Sequence, residues 1–146
     1  MKTTELMIGD WVIGSLGDRG RVVAIDDEDN YKTHHGSVKV EYSEDFAANG
    51  EWVDKILPIP LAPEDLERNG FHKDEMYHFF NIDEQWTLEY YAHEHRLRLC
   101  SECVDEWQNG ALVRDILFQC QAYYVHEFQH ALRMCGFDKL ADDFKA

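Results

Sequence analysis

The residues whose types and spacing could do chemistry lie in one short run, His126-Glu127-Phe128-Gln129-His130. Two histidines four positions apart sit one helical turn from each other, so both imidazoles can reach a single zinc ion while the glutamate serves as base. This is the H-E-x-x-H arrangement of zinc hydrolases. On that reading His126 and His130 are metal ligands, Glu127 is the catalytic base and zinc is the cofactor. The remainder of such a site is not supplied at the usual spacing. No glycine and third histidine follow, and the 16 residues after His130 contain no glutamate, leaving Asp138, Asp142 and Asp143 as the downstream carboxylates. His93 or His95 could complete the set only in an unusual chain order. A three-residue match in a chain with eight histidines is a weak signal. The leading expectation is therefore structural: no catalytic residue, no cofactor, and a helix whose outer histidines hydrogen-bond or pack against the N-terminal part. Zinc hydrolysis through His126, Glu127 and His130 is the alternative.

The element that must position these residues is a helix over about 121–136. Helical periodicity gathers Tyr124, Val125, Phe128, Ala131, Leu132 and Cys135 into one apolar arc and puts His126, His130, Arg133 and Tyr123 opposite it. Gly136 follows as a C-cap.

Four cysteines offer a second route to a metal. Cys100-x-x-Cys103 with Cys120 and Cys135, or with His93 and His95, could be assembled into four ligands, but no second close pair is present. On a strand Cys100 and Cys103 face opposite sides, so small buried side chains are the better account. The context is not the strand-to-helix turn of a thioredoxin-like pair. Nucleophile-elbow and phosphate-loop patterns are absent from the sequence.

Residues 6–60 alternate as short strands, at Asp10–Gly14, Gly20–Ile25, Ser37–Tyr42 and Trp52–Pro60, punctuated by Gly17, Gly20, Gly36 and Gly50. This predicts a small SH3-like antiparallel β-barrel over 1–60, with a solvated loop at Asp26–Asn30 and Tyr31–Gly36. Pro58, Pro60 and Pro63 close that region and open a short helix, Pro63–Arg68, stopped by Asn69-Gly70. Further strands are expected at Met76–Ile82, Trp86–Ala92, His95–Cys103 and Ala111–Gln119, followed by the helix and a frayed acidic tail over 138–146. The predicted class is α+β: the barrel, then an α+β domain over 61–146 whose antiparallel sheet is packed by the C-terminal helix. The short connector implies one packed body.

Charge narrows the function classes. The formal net charge is −15, with six basic against twelve acidic residues in 1–60 and eight against seventeen in 61–146. Neither half is a basic module, so direct nucleic-acid binding is not expected. The same field could attract a basic partner or imitate nucleic acid toward a DNA-processing protein. The sequence shows no export signal and no run of the roughly 20 apolar residues needed to span a bilayer, which predicts a cytoplasmic protein without a membrane partner.

Glu5-Leu6-Met7-Ile8-Gly9-Asp10-Trp11-Val12, Leu57-Pro58-Ile59-Pro60-Leu61, Asn69-Gly70-Phe71 and Tyr124–Leu132 together resemble a set of short uncharacterised proteins of Bacteroides-type bacteria, their phages and mobile elements. In those proteins the helix pattern is closer to Val-His-x-Leu-Gln. The resemblance implies a packing role for the helix, with Phe128 standing where leucine is usual. The functional expectation is a non-enzymatic accessory or interaction protein of a bacterial or mobile-element genome. Its protein partner and oligomeric state stay open, and Trp11, Tyr42 and Trp52 are the candidate contacts by analogy with SH3-like surfaces.

Overall fold

The computed structural model describes residues 5–26, 38–42, 50–105 and 110–146, with the side chains of 104 and 105 excepted. The expected loop over 26–36 lies outside the described residues apart from Asp26. The first sheet holds β1 (Trp11–Ile13), β2 (Arg19–Ile25), β3 (Val38–Glu41), β4 (Glu51–Val53) and β5 (Leu57–Pro58), in the order β4-β3-β2-β1-β5. After α1 (Pro63–Arg68) the second sheet is built from β6 (His72–Lys73), β7 (His78–Asn81), β8 (Trp86–Tyr91), β9 (Arg96–Asp105) and β10 (Ala111–Gln121), in the order β10-β9-β8-β7-β6. Two helices close the chain, α2 (Val125–Met134) and α3 (Asp138–Asp143). The class is α+β, and both sheets are antiparallel.

Three expectations are corrected. Neither sheet closes into a barrel: β4 and β5 are opposite edges of the first sheet, three and two residues long, and Pro58 on β5 has no N–H to give a ladder. The single strand anticipated over Trp52–Pro60 is two strands, interrupted at Asp54–Ile56. The C-terminal tail carries α3, and Phe144 is buried in the core. The amide of Asn69 donates to the Lys145 carbonyl at 2.7 Å and its oxygen accepts from the Lys145 N–H at 2.7 Å, which ties the end of the chain down.

Two apolar cores follow from strand alternation. Val12, Val22, Val38, Val40 and Val53 point to one face of the first sheet and join Leu6 and Ile56. The larger core sits between the second sheet and α2: Leu88, Tyr90, Leu97 and Leu99 meet Val125, Phe128, Ala131 and Leu132. Phe128 is its centre, with Tyr90 edge-on at 5.9 Å and Phe71 at 5.8 Å. β1 is shared, because Val12 enters the first core while Trp11 and Ile13, on the opposite face, pack against the second. The connector also binds the start of α2. The Val125 N–H donates to the Ile59 carbonyl at 2.9 Å and the Leu61 N–H to the Tyr123 carbonyl at 3.0 Å.

Candidate functional site

Val125, Phe128, Ala131 and Leu132 of the apolar arc form a buried face of α2, whereas Tyr124 and Cys135 flank a helix shorter than the expected 121–136 and are half-buried, and the face opposite the arc is covered too. His126 is 5% exposed and Gln129 is fully buried, because this side of α2 lies against the first sheet and its N-terminal segment. The residues of the H-E-x-x-H run have different assignments: Phe128 lies in the larger core, Glu127 caps its own helix, and Gln129 and His130 bond across the seam. Glu127, in the first turn, accepts the backbone N–H groups of Tyr123 at 2.8 Å and Tyr124 at 3.2 Å through one carboxylate oxygen. These donors would otherwise be orphaned at the helix start, so the glutamate acts as a cap. Gln129 accepts from the Trp11 N–H at 3.0 Å and donates to the carbonyls of Gly9 at 3.1 Å and Ala141 at 2.9 Å. One amide thereby joins the first sheet, α2 and α3.

His130 and Arg133 converge on Asp10, which is fully buried. His130 Nε2 lies 2.7 Å from Asp10 Oδ2, Arg133 donates to Oδ1 at 2.9 Å, and the Met7 N–H donates to Oδ2 at 2.8 Å. Arg133 continues to Asp142 at 3.1 Å. Burial works against the Arg133 guanidinium, but its hydrogen bonds to Asp10 and Asp142 and their charges raise its pKa above the ordinary value. Burial lowers the pKa of His126, against the pull of Asp10, Glu127 and Glu5 and with the push of His130. Its Nδ1 is buried with no hydrogen-bond partner among the described residues.

The two imidazole rings of the motif lie 5.8 Å apart, edge to face at 82°. That spacing alone would admit a shared ion at the usual Zn–N distance of about 2 Å. The partners differ from those of a zincin, since His130 Nε2 faces Asp10 and Glu127 faces backbone N–H groups. No group of three or more histidine, cysteine or carboxylate side chains is arranged to hold a metal among the described residues.

The second candidate set is scattered. Cys100 is buried on the second sheet, its thiol raised by burial and 3.7 Å from Glu89 Oε2, whereas Cys103 is exposed. Cys120 and Cys135 pack at the margin of the larger core, and all four are free. The His95 ring lies 4.7 Å from that of Tyr123, tilted by 34°, and His95 takes a left-handed backbone conformation, φ 49°. The neighbouring Tyr90 hydroxyl donates to the Ala122 carbonyl at 2.8 Å, and burial, then Glu127 and Tyr123, push its pKa up to about 12.

Trp11, Tyr42 and Trp52 separate into different roles. Trp11 and Tyr42 line a cavity of about 640 Å³, open to solvent between the first sheet and the C-terminal segment. Arg21 lies over the Trp11 ring at 5.1 Å and donates to the carbonyls of Asp142 and Phe144, the latter at 2.9 Å. The Trp11 indole N–H donates to the same Phe144 carbonyl at 2.6 Å. The Tyr42 hydroxyl is buried without a hydrogen-bond partner among the described residues, and burial, then Glu51 and Asp18, raise its pKa. Glycine is required opposite it, since a Cβ at Gly14 would stand 2.0 Å from that oxygen. Trp52 is half-buried on β4 across from Lys39, away from the cavity lining.

Sequence reasoning missed Asp10 and Gln129 as organising residues. Gln129 was read as an intervening position of the motif, and Asp10 stood only within the Gly9-Asp10-Trp11-Val12 segment. The available signal was a carboxylate between a glycine and an aromatic residue at the start of a strand. No helix among the described residues is long and apolar enough to cross a membrane. Comparison with protein-family models, with curated proteins and with solved structures found no match to the chain.

Proposed function

We propose that the chain is a non-enzymatic accessory or interaction protein of a bacterial or mobile-element genome, the setting implied by its resemblance to the short Bacteroides-type proteins. The observation that carries this reading is the allocation of side chains. Of the motif residues that could do chemistry, Glu127 caps its own helix and His130 is bonded to Asp10 across the seam between the first sheet and α2, while an aromatic-walled groove beside Trp11 and Tyr42 is left open. An SH3-like origin for the first sheet fits its order, in which β5 returns beside β1, and such folds present shallow aromatic surfaces to partners.

Affinity capture with the whole chain tests the proposal, comparing the native protein with a Glu41→Lys/Trp52→Ala variant of unchanged melting midpoint. A specific partner retained by the native protein and lost by the variant is the expected result. Equal retention by both removes the first sheet as the contact surface. Hydrolysis of a peptide or ester substrate that disappears in Glu127→Gln would overturn the non-enzymatic reading.

A further inference from the structure

We infer that the groove beside Trp11 and Tyr42 takes a lysine- or arginine-bearing segment of a protein partner. This rests on the interaction reading and specifies its ligand. A cavity of about 640 Å³ is in the range that buries a ligand group rather than a few waters. Its chemistry is displayed by a resident cation: Arg21 lies over Trp11 at 5.1 Å with its guanidinium held by main-chain carbonyls, so an aromatic face and carbonyl oxygens already accommodate a guanidinium there.

Arg21 does not use the carboxylates at the mouth. Glu41 and Asp143 line the groove, are exposed, and make no ion pair among the described residues, while Asp142 spends one oxygen on Arg133 and stays 61% exposed. Two cations, Arg21 and Lys145, face these three anions, so the lining keeps an excess of negative charge. The rest of the molecule adds to the attraction, with a net charge of −15. A basic side chain entering the groove meets two carboxylates that make no ion pair among the described residues, beside the rings of Trp11 and Tyr42, which is complementary to it in charge. An acidic segment meets the same carboxylates as like charges.

The test is fluorescence anisotropy with the whole chain and three labelled twelve-residue peptides of one glycine-serine framework, bearing four arginines, four citrullines or four glutamates. The arginine peptide should bind at least tenfold more tightly than either of the others. A Glu41→Gln/Asp143→Asn variant should weaken it at least fivefold. A Glu75→Gln/Glu84→Gln variant removes the same charge from exposed positions of the second sheet's turns and should change binding less than twofold. Equal weakening by the two variants overturns the groove as the site, since only the general field would then be acting. Binding of citrulline or glutamate peptide as tight as that of arginine overturns the basic ligand class. If no peptide binds while the capture experiment still returns a partner lost in Glu41→Lys/Trp52→Ala, the ligand assignment fails and the interaction reading stands.

Discussion

Asp10 and His130 meet at 2.7 Å across the seam between the first sheet and α2, although 120 positions separate them in the chain. Around this contact the carboxylate of Asp10 is fully buried and also holds Arg133 and the Met7 N–H. It is the polar centre of an interface whose apolar parts belong to two different cores.

Removing Asp10 should be costly. Asp10→Ala leaves the guanidinium of Arg133, only 14% exposed, without its main partner, and loss of one member of a buried pair costs about 3–5 kcal/mol. Asp10→Asn keeps an acceptor for Met7 and should lose less. His130→Ala, at a side chain still 21% exposed, should lose about 1 kcal/mol. Urea denaturation of the three variants gives the ranking, and an Asp10→Ala protein as stable as His130→Ala would show that the seam does not depend on the carboxylate.

Gln129→Leu preserves the approximate volume but strands three backbone groups, at Gly9, Trp11 and Ala141, that the amide satisfies. Each buried unsatisfied group costs about 1–3 kcal/mol, so a loss of more than about 2 kcal/mol is expected. Amide hydrogen exchange should show the Trp11 N–H losing protection, and unchanged protection at Trp11 would remove the cross-seam bond from the account.

The pH dependence of stability follows from His126. Its folded pKa lies below its ordinary value of 6.5, chiefly through burial. Above 6.5 the imidazole is neutral in both states and contributes nothing to the pH dependence. Below 6.5 the unfolded chain takes up the proton first, so stability falls as the pH drops through this range toward the folded pKa. The native protein should lose more stability between pH 7.5 and pH 5.5 than His126→Phe does. Parallel curves for the two proteins would rule out His126 as the source.

Glu127 caps the start of α2, which separates it from a metal-assisted base. Glu127→Ala should cost about 1 kcal/mol, with Glu127→Gln closer to the native value because an amide oxygen can still accept from Tyr123 and Tyr124. Dialysis of untagged protein against a chelator should leave the melting midpoint unchanged. One equivalent of zinc, lost in His126→Ala, would restore the hydrolase alternative.

The outer edge of the second sheet makes a further expectation concrete. β10 is an eleven-residue edge strand on which Leu112 is 67%, Ile116 52% and Leu117 51% exposed. Long apolar edges invite strand pairing between molecules. Leu112→Lys/Leu117→Lys should suppress concentration-dependent light scattering while changing stability by no more than about 0.5 kcal/mol. Scattering that is unaffected would locate self-association elsewhere.

Much of the fold was legible in local pattern. Pro63 and Asn69-Gly70 delimited α1, alternation of Leu97 and Leu99 marked the inward face of β9, and the arc of Val125, Phe128, Ala131 and Leu132 marked the core face of α2. What escaped was decided by partners far away in the chain. Whether the first sheet closes depends on the lengths of β4 and β5, which glycine spacing does not determine. Phe144 stands alone in an acidic tail, so nothing local shows that it reaches Phe128 at 5.3 Å. His126 and His130 read as chemistry because their true neighbours, Asp10 and the N-terminal segment, lie about as far from them in sequence as the chain allows.

The same seam sets an order of events during synthesis. Gly9, Asp10 and Trp11 are made long before the groups that bond them, on Gln129, Arg133 and Phe144. Contacts of such long sequence separation form late and slowly. The first sheet therefore gains these bonds only after the segment through Phe144 has been made, and a chain ended before Phe144 carries a Trp11 indole and an Arg21 guanidinium deprived of that carbonyl. α2 and α3 thus complete the first strands, and a chain lacking them leaves the Trp11 face of β1 uncovered.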